Sequence, residues 1–331
     1  MNKTMNGSSC PFLPNPTAKK IGETFAYCLF FVASLVGNSL IGIIVYKTQT
    51  LRKPINYFIV NMAMSDLLIP IFVFPRKLTR LYVQSLLISG PLGQVLCKLL
   101  PFLWAVSNIV SIQSLVLIAV DRLGAVVFPL RSPIISSRMC PFFILATWIT
   151  AMTVFSPYFF VFKLVEYPEK VACEWRWNEV FGESLSDENY FLTVYVVFFY
   201  VPTALLVILY SIIVVTLKTQ KIPGEQSVNA EQQRARRNRN VLKFAIAVVL
   251  GFVLCWVPVS VMNLQFFFAW DRRLPCGVRF YHSIANFVAV SNCAINPCIC
   301  FIFGSSYRQG LKRLLKCPKA MQNRVNPKLA S

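Results

Sequence analysis

Histidine is nearly missing from this 331-residue chain, which has a single one, His282. Acids are scarce as well, 13 against 33 Lys and Arg. Catalysis at depth in an apolar protein needs paired carboxylates, a Ser–His pair or a metal cluster, and one imidazole supplies none of these, so an enzyme is not expected. Charge of either sign is thin at 14%, while 56% of residues are hydrophobic. A soluble globular domain carries roughly a quarter charged residues, so this composition belongs in a lipid bilayer. The net charge of +20 flanks apolar runs instead of forming a soluble basic face. No nucleic-acid partner is therefore expected. An internal repeat is also missing, and Asp66 is the only acid well inside an apolar run. A transporter would show repeated halves or several charges along a path. The alternation over about ten residues that marks a barrel strand is lacking too. Residues 1–23 are polar, carry Lys3, Lys19 and Lys20, and contain no apolar core segment. No cleavable leader is expected, and targeting falls to the first apolar run.

What is present is seven nearly uncharged runs, at about 24–46, 55–75, 95–120, 139–162, 190–217, 244–268 and 280–303. About 20 such residues cross a hydrocarbon core of about 30 Å as a helix, with every backbone hydrogen bond satisfied internally. The expectation is an all-α membrane protein: a polar amino terminus (1–23), a seven-helix bundle (24–303), and a short amphipathic eighth helix with a tail (304–331). Seven is odd, so the two ends lie on opposite sides. The amino terminus with connections two, four and six holds 13 Lys and Arg, counting Lys98, and nine acids; the other side holds 20 and three. Basic connections stay in the cytoplasm, which places the carboxyl end inside and the amino end outside a plasma membrane. Asn2-Lys3-Thr4 and Asn6-Gly7-Ser8 are glycosylation acceptors on that outer side, whereas Asn15-Pro16-Thr17 is barred by its proline. Cys10, Cys97, Cys173 and Cys276 fall there too, in a disulfide-permissive compartment.

The third run, Ser111 to Leu123, organises the chain. It is uncharged until Asp121 and Arg122, which the pattern places at its end, just before Pro129. A charge pair is costly in hydrocarbon, so it belongs at the water interface as a switch or an anchor. Cys97 precedes Arg122 by 25 residues, about one bilayer at 1.5 Å per helical residue, and so lies at the outer mouth. The stretch Val171 to Trp175 alternates as a hairpin strand would, and a Cys97–Cys173 disulfide would pin it over the bundle entrance. Residues 163–189 carry seven of the thirteen acids, including Glu174, which reads either as a solvated loop or as a field for a cationic ligand. Asp66 needs a cation, or a neutral structural role bonded to Asn38. The sixth run starts from the basic stretch 234–239 and carries Trp256 just before Pro258, whose missing N–H kinks the helix. Asn296-Pro297 bends the seventh. From Tyr307 on, apolar residues 307, 311, 314 and 315 share one face, as in a helix lying on the inner leaflet, with Cys317 at its end as a palmitoylation candidate.

Six landmarks in order, Gly37-Asn38, Ser65-Asp66, Asp121-Arg122, Trp148, Phe252 to Pro258 and Asn296-Pro297, with Cys97, Cys173, Pro202 and Tyr210, resemble the rhodopsin-like family of G-protein-coupled receptors over nearly the full length. The resemblance implies a switch made of Asp121, Arg122, Tyr210, Trp256, Pro258, Asn296 and Pro297, in which Arg122 is freed as helix six swings outward. It implies a heterotrimeric G protein, with arrestin, as partners, no organic cofactor, and a sodium ion at Asn38, Asp66, Ser111, Asn292 and Asn296 below Trp256. Two departures stand out: Leu123 where the family has Tyr, and Cys300 where Asn-Pro-x-x-Tyr has its Tyr. They motivate the alternative of a non-signalling or decoy receptor. The counter-ion position of amine receptors is Trp104 here, and the retinal lysine position of opsins is Val290, so neither ligand fits. The stretch 119–131 looks most like neuropeptide receptors for amidated peptides. An extracellular peptide is the expected ligand, facing Arg76, Trp104, Asn108, Glu174, Trp175, Asn263, Phe266, His282 and Asn286, with a second disulfide from Cys10 to Cys276.

Overall fold

A computed structural model describes residues 16–83, 88–128, 134–168, 170–219, 228–270 and 274–322. Seven helices among them are long and apolar enough to cross a bilayer. We number them α1 (Pro16–Lys47), α2 (Pro54–Tyr82), α3 (Gly90–Val127), α4 (Cys140–Val161), α5 (Asp187–Thr219), α6 (Val228–Phe268) and α7 (Arg279–Phe303); α8 (Ser305–Gln322) follows. Proline opens several of them. Pro54 takes the first turn of α2 and Pro91 that of α3, where the missing N–H costs nothing because no carbonyl precedes it.

α3 runs through the middle and packs on α2, α4 and α5, while α1 packs on α2 and α7, and α6 on α7. Helix against helix in lipid gains from close approach and internal polar bonds more than from apolar burial. Both devices are visible. A Cβ on Gly37 would lie 2.7 Å from the Pro297 side chain, so only glycine lets α1 and α7 meet there. Asn61 ties three helices, donating to Ser114 Oγ (2.9 Å) and Thr147 Oγ1 (3.2 Å) while its carbonyl accepts from Trp148 Nε1 (2.8 Å). That bond accounts for the Trp148 landmark.

Four helices differ from the sequence expectation. α2 bends through a π turn at Ile69–Val73 around Pro70 and continues to Tyr82, so Arg76, Lys77 and Arg80 sit on its last turns and not in a loop. α3 does not end at Asp121 and Arg122 but carries on to Val127, because Leu123 and Val126 still find apolar packing. α6 starts at Val228, so the basic stretch 234–239 is helical. α8 extends past Cys317 to Gln322.

At one end of the bundle a hairpin crosses the opening: β1 (Phe162–Glu166) pairs antiparallel with β2 (Val171–Trp175). The Cys97–Cys173 disulfide fixes it to α3 with Cα atoms 5.5 Å apart, and Gln94 Oε1 accepts from Leu164 N at 2.9 Å.

Candidate functional site

Beneath the hairpin lies a cavity of about 440 Å³ bounded by α3 to α7 and β1. Its wall is aromatic, with Trp104, Tyr158, Phe191, Tyr195, Phe266 and Phe267 among the contributors, and its floor includes Phe252 and Trp256. Polar groups are few: Asn108, Asn263, His282 and Asn286. Asn263 Nδ2 donates to Tyr195 Oη at 2.6 Å, and Asn286 Nδ2 donates to the His282 carbonyl at 2.9 Å, which fixes both amides on the lining. Among the described residues no carboxylate lines this cavity, and an ammonium ligand would find no counter-ion among them.

The structure brings Trp104, Asn108, Asn263, Phe266, His282 and Asn286 together on that lining. It does not bring Arg76, Glu174 or Trp175 there. Glu174 accepts from Arg176 Nη2 and Tyr167 Oη, both at 2.5 Å, because β2 presents it to its own neighbours. Tyr167 and Arg176 hold its carboxyl below the usual carboxylate range. Glu179 likewise takes Lys163 at 2.7 Å, and Asp187 accepts from Trp175 Nε1 at 3.0 Å. Glu174, Glu179 and Asp187 are thus engaged in holding the connection itself. Trp175 packs instead among Tyr158, Phe162, Trp177 and Phe191, roofing the cavity from behind. Sequence reasoning missed the rest of the aromatic wall, notably Tyr158, Phe191 and Phe267. Runs of Phe in apolar helices carry no sign of which face they take.

Below the floor the polar landmarks converge. Asp66 is buried and accepts from Asn296 Nδ2 at 2.9 Å, not from Asn38, whose amide donates to the Cys293 carbonyl at 3.0 Å. Ser111 stands beside Asp66 but its Oγ makes no hydrogen bond of normal geometry, and Asn38 Oδ1 and Asn292 Oδ1 are likewise buried without a donor. Ser111 beside Asp66 and the buried orphan amide oxygens of Asn38 on α1 and Asn292 on α7 supply the oxygen ligand type that a small hard cation takes. They do not form a His, Cys, Asp and Glu cluster of the transition-metal kind among the described residues.

At the far end Arg122 Nη2 lies 2.5 Å from Asp121 Oδ2, with Asp121 buried and Arg122 30% exposed. That exposure lets the guanidinium be released to a partner. Tyr210 Oη is buried without a hydrogen-bond partner. Tyr307 on α8 donates to Asn56 Oδ1 of α2 at 2.9 Å, a buried link that sequence reading did not anticipate. Cys300 is buried and free. Asn2, Asn6 and Cys10 lie outside the described residues; Cys276 is disulfide-bonded, and Cys317 lies in α8 with its side chain outside the description.

A cavity covered by a stapled hairpin, a proline-bearing helix whose Trp256 floors it, and an ion pair at the opposite end fit a seven-helix membrane receptor. A sequence model described as 7 transmembrane receptor (rhodopsin family) matches residues 37–299, and the chain belongs to that family. It is a receptor and not an enzyme. The chain is similar to the RYamide receptor of Drosophila melanogaster, 30% identical over 89% of this chain and 63% of that protein. It is also 30% identical to a QRFP-like peptide receptor of Branchiostoma floridae, over 95% of this chain and 81% of that one. The Substance-P receptor of Mus musculus is 26% identical over 96% of this chain and 76% of its own length.

Proposed function

We propose that this chain is a plasma-membrane receptor for an extracellular peptide of the neuropeptide kind, signalling through a heterotrimeric G protein as α6 swings outward. The carrying observation is the cavity: about 440 Å³, aromatic-walled, with a few amide groups and, among the described residues, no carboxylate. Pockets of this size and make-up bury a compact apolar group and orient it by a few polar contacts, as the aromatic end of a peptide requires. The names of the similar receptors support the same reading. A guest resting on Phe252 and Trp256 presses on α6 beside Pro258, where the helix lacks a backbone bond. The amino terminus, with Asn2 and Asn6, lies outside, and arrestin shares the inner face.

A sodium ion held by Asp66, Ser111, Asn38, Asn292 and Asn296 belongs to this proposal. Bound there, it supplies positive charge to a buried carboxylate and favours the resting arrangement it fits.

The test is G-protein activation in cells expressing the chain, screened with short amidated and free-acid peptides, with Arg122→Ala as control. A response that vanishes in the control at matched surface expression is the expected result. Silence of a surface-expressed receptor across the library would count against it. Buried Cys300 and the unpartnered Tyr210 hydroxyl favour a second reading, a receptor of this fold that does not signal. Cys300→Tyr then separates the two, since restored coupling would show an intact but unlatched switch.

A further inference from the structure

The last turns of α2 carry Arg76, Lys77 and Arg80 within five residues. The peptide-ligand reading does not account for them. Lys77 is half-buried and turns inward, its Nζ 5.4 Å from the centre of the Trp104 ring. Trp104 and His282 both line the cavity, and Lys77 lies within electrostatic reach of His282 as well as of Arg76 and Arg80. Arg76 is half-buried behind it, with Nε fully enclosed and without a hydrogen bond. None of the three makes an ion pair among the described residues. Glu23 of α1 accepts from Ser283 Oγ of α7 at 3.4 Å.

Cations at a helix end ordinarily reach out to lipid phosphate or water. Lys77 does the reverse. Drawing an ammonium off solvent beside two like charges is costly unless an opposite charge joins it. The ring face of Trp104 offsets part of this cost and also aims the ammonium at the rim of the cavity.

We propose that Lys77, backed by Arg76, is an anion subsite on the cavity rim, and that the ligand carries a carboxylate or sulfate beside the aromatic group that fills the cavity. This deepens the peptide reading and rests on it. It also separates this receptor's ligand from a purely cationic peptide end, for which the cavity holds no carboxylate among the described residues. The anion has two sources, a free carboxyl terminus or an acidic or sulfated side chain.

The experiment uses the full-length receptor purified into phosphatidylcholine nanodiscs and follows its melting temperature against aromatic-ended tetrapeptides. Each is made in matched forms: free acid and amide ends, Asp and Asn interiors, sulfated and plain Tyr. In the expected result one anionic arm acts at a concentration about ten-fold or more below its neutral match, as a charge-assisted contact provides. Lys77→Gln closes that gap and Lys77→Arg keeps it, and the arm that shows the gap names the source. A wild-type receptor that treats matched forms alike, or a gap that survives in both Lys77→Gln and Arg76→Gln, overturns the subsite. If no tetrapeptide shifts the melting temperature, the peptide reading fails separately. Indole-3-acetate against indole-3-acetamide then decides: a carboxylate preference removed by Lys77→Gln keeps the subsite, and equal behaviour of the two overturns it.

Discussion

At the scale of single residues, two buried polar contacts carry consequences that can be measured. Buried Asp66 accepts from Asn296 and stands beside Ser111, while the oxygens of Ser111, Asn38 and Asn292 are buried without donors among the described residues. The receptor in detergent is therefore expected to melt higher in sodium chloride than in choline chloride, with the difference abolished in Asp66→Asn. An identical salt response in wild type and variant would remove the cation from the account. Tyr307 stands a full turn of helix past the chain's bend at Gly304 and donates to Asn56 across the bundle. Burial raises its hydroxyl well above the usual tyrosine range, so it stays protonated as a donor. Tyr307→Phe leaves Asn56 Oδ1 without that donor and is expected to cost about 1–3 kcal/mol. Thermal unfolding beside Asn56→Ala and the double variant gives the coupling, and additive losses would mean that the pair does not interact.

Among the elements, the hairpin is the one whose stability responds to pH. The Tyr167 hydroxyl and the Arg176 guanidinium hold the Glu174 carboxyl below the ordinary value of 4.5. A depressed folded pKa means that the unfolded hairpin binds the proton more readily. The contribution is therefore full above the ordinary value and is lost as pH falls through the depressed one. Wild type is expected to lose melting temperature over that acid window more steeply than Glu174→Gln, whose amide cannot titrate. Parallel curves would place the acid response elsewhere in the chain. The disulfide to Cys97 keeps the hairpin tethered throughout, since it does not depend on this titration.

For the whole molecule, the proposed orientation rests on where the bases sit relative to seven spans, and it is open to direct test. An epitope inserted after residue 5 should be reachable by antibody in intact cells, and one after residue 325 only once the membrane is permeabilised. The reverse pattern would place the cavity and hairpin on the wrong side for an extracellular peptide. The outward motion proposed for α6 is a second whole-molecule question: the segment is anchored mainly to α7 and carries Pro258 inside it, whereas α3 is held by neighbours on several sides. Spin labels on the inner ends of α3 and α6 should report a longer separation with an activating peptide than without.

Seven spans, the odd count that separates the two ends, and the identity of the landmark residues were all legible in the chain itself, because hydrocarbon thickness imposes a length on every apolar run. Cys97 could be placed at the outer mouth by helical rise, and Cys173 on a hairpin strand by its alternating neighbours. Where charge sits inside a helix was not legible. α3 continues past Arg122 and α2 past Lys77 because tertiary packing continues there, and hydropathy falls before packing does. The fate of Glu174 was equally hidden, since composition counts acids but only strand register decides that Arg176 and Tyr167 neutralise this one. The aromatic wall and the inward turn of Lys77 over Trp104 depend on which side of each helix faces the bundle. In helices apolar on every side, periodicity does not encode that choice, and contact between helices distant in sequence settles it.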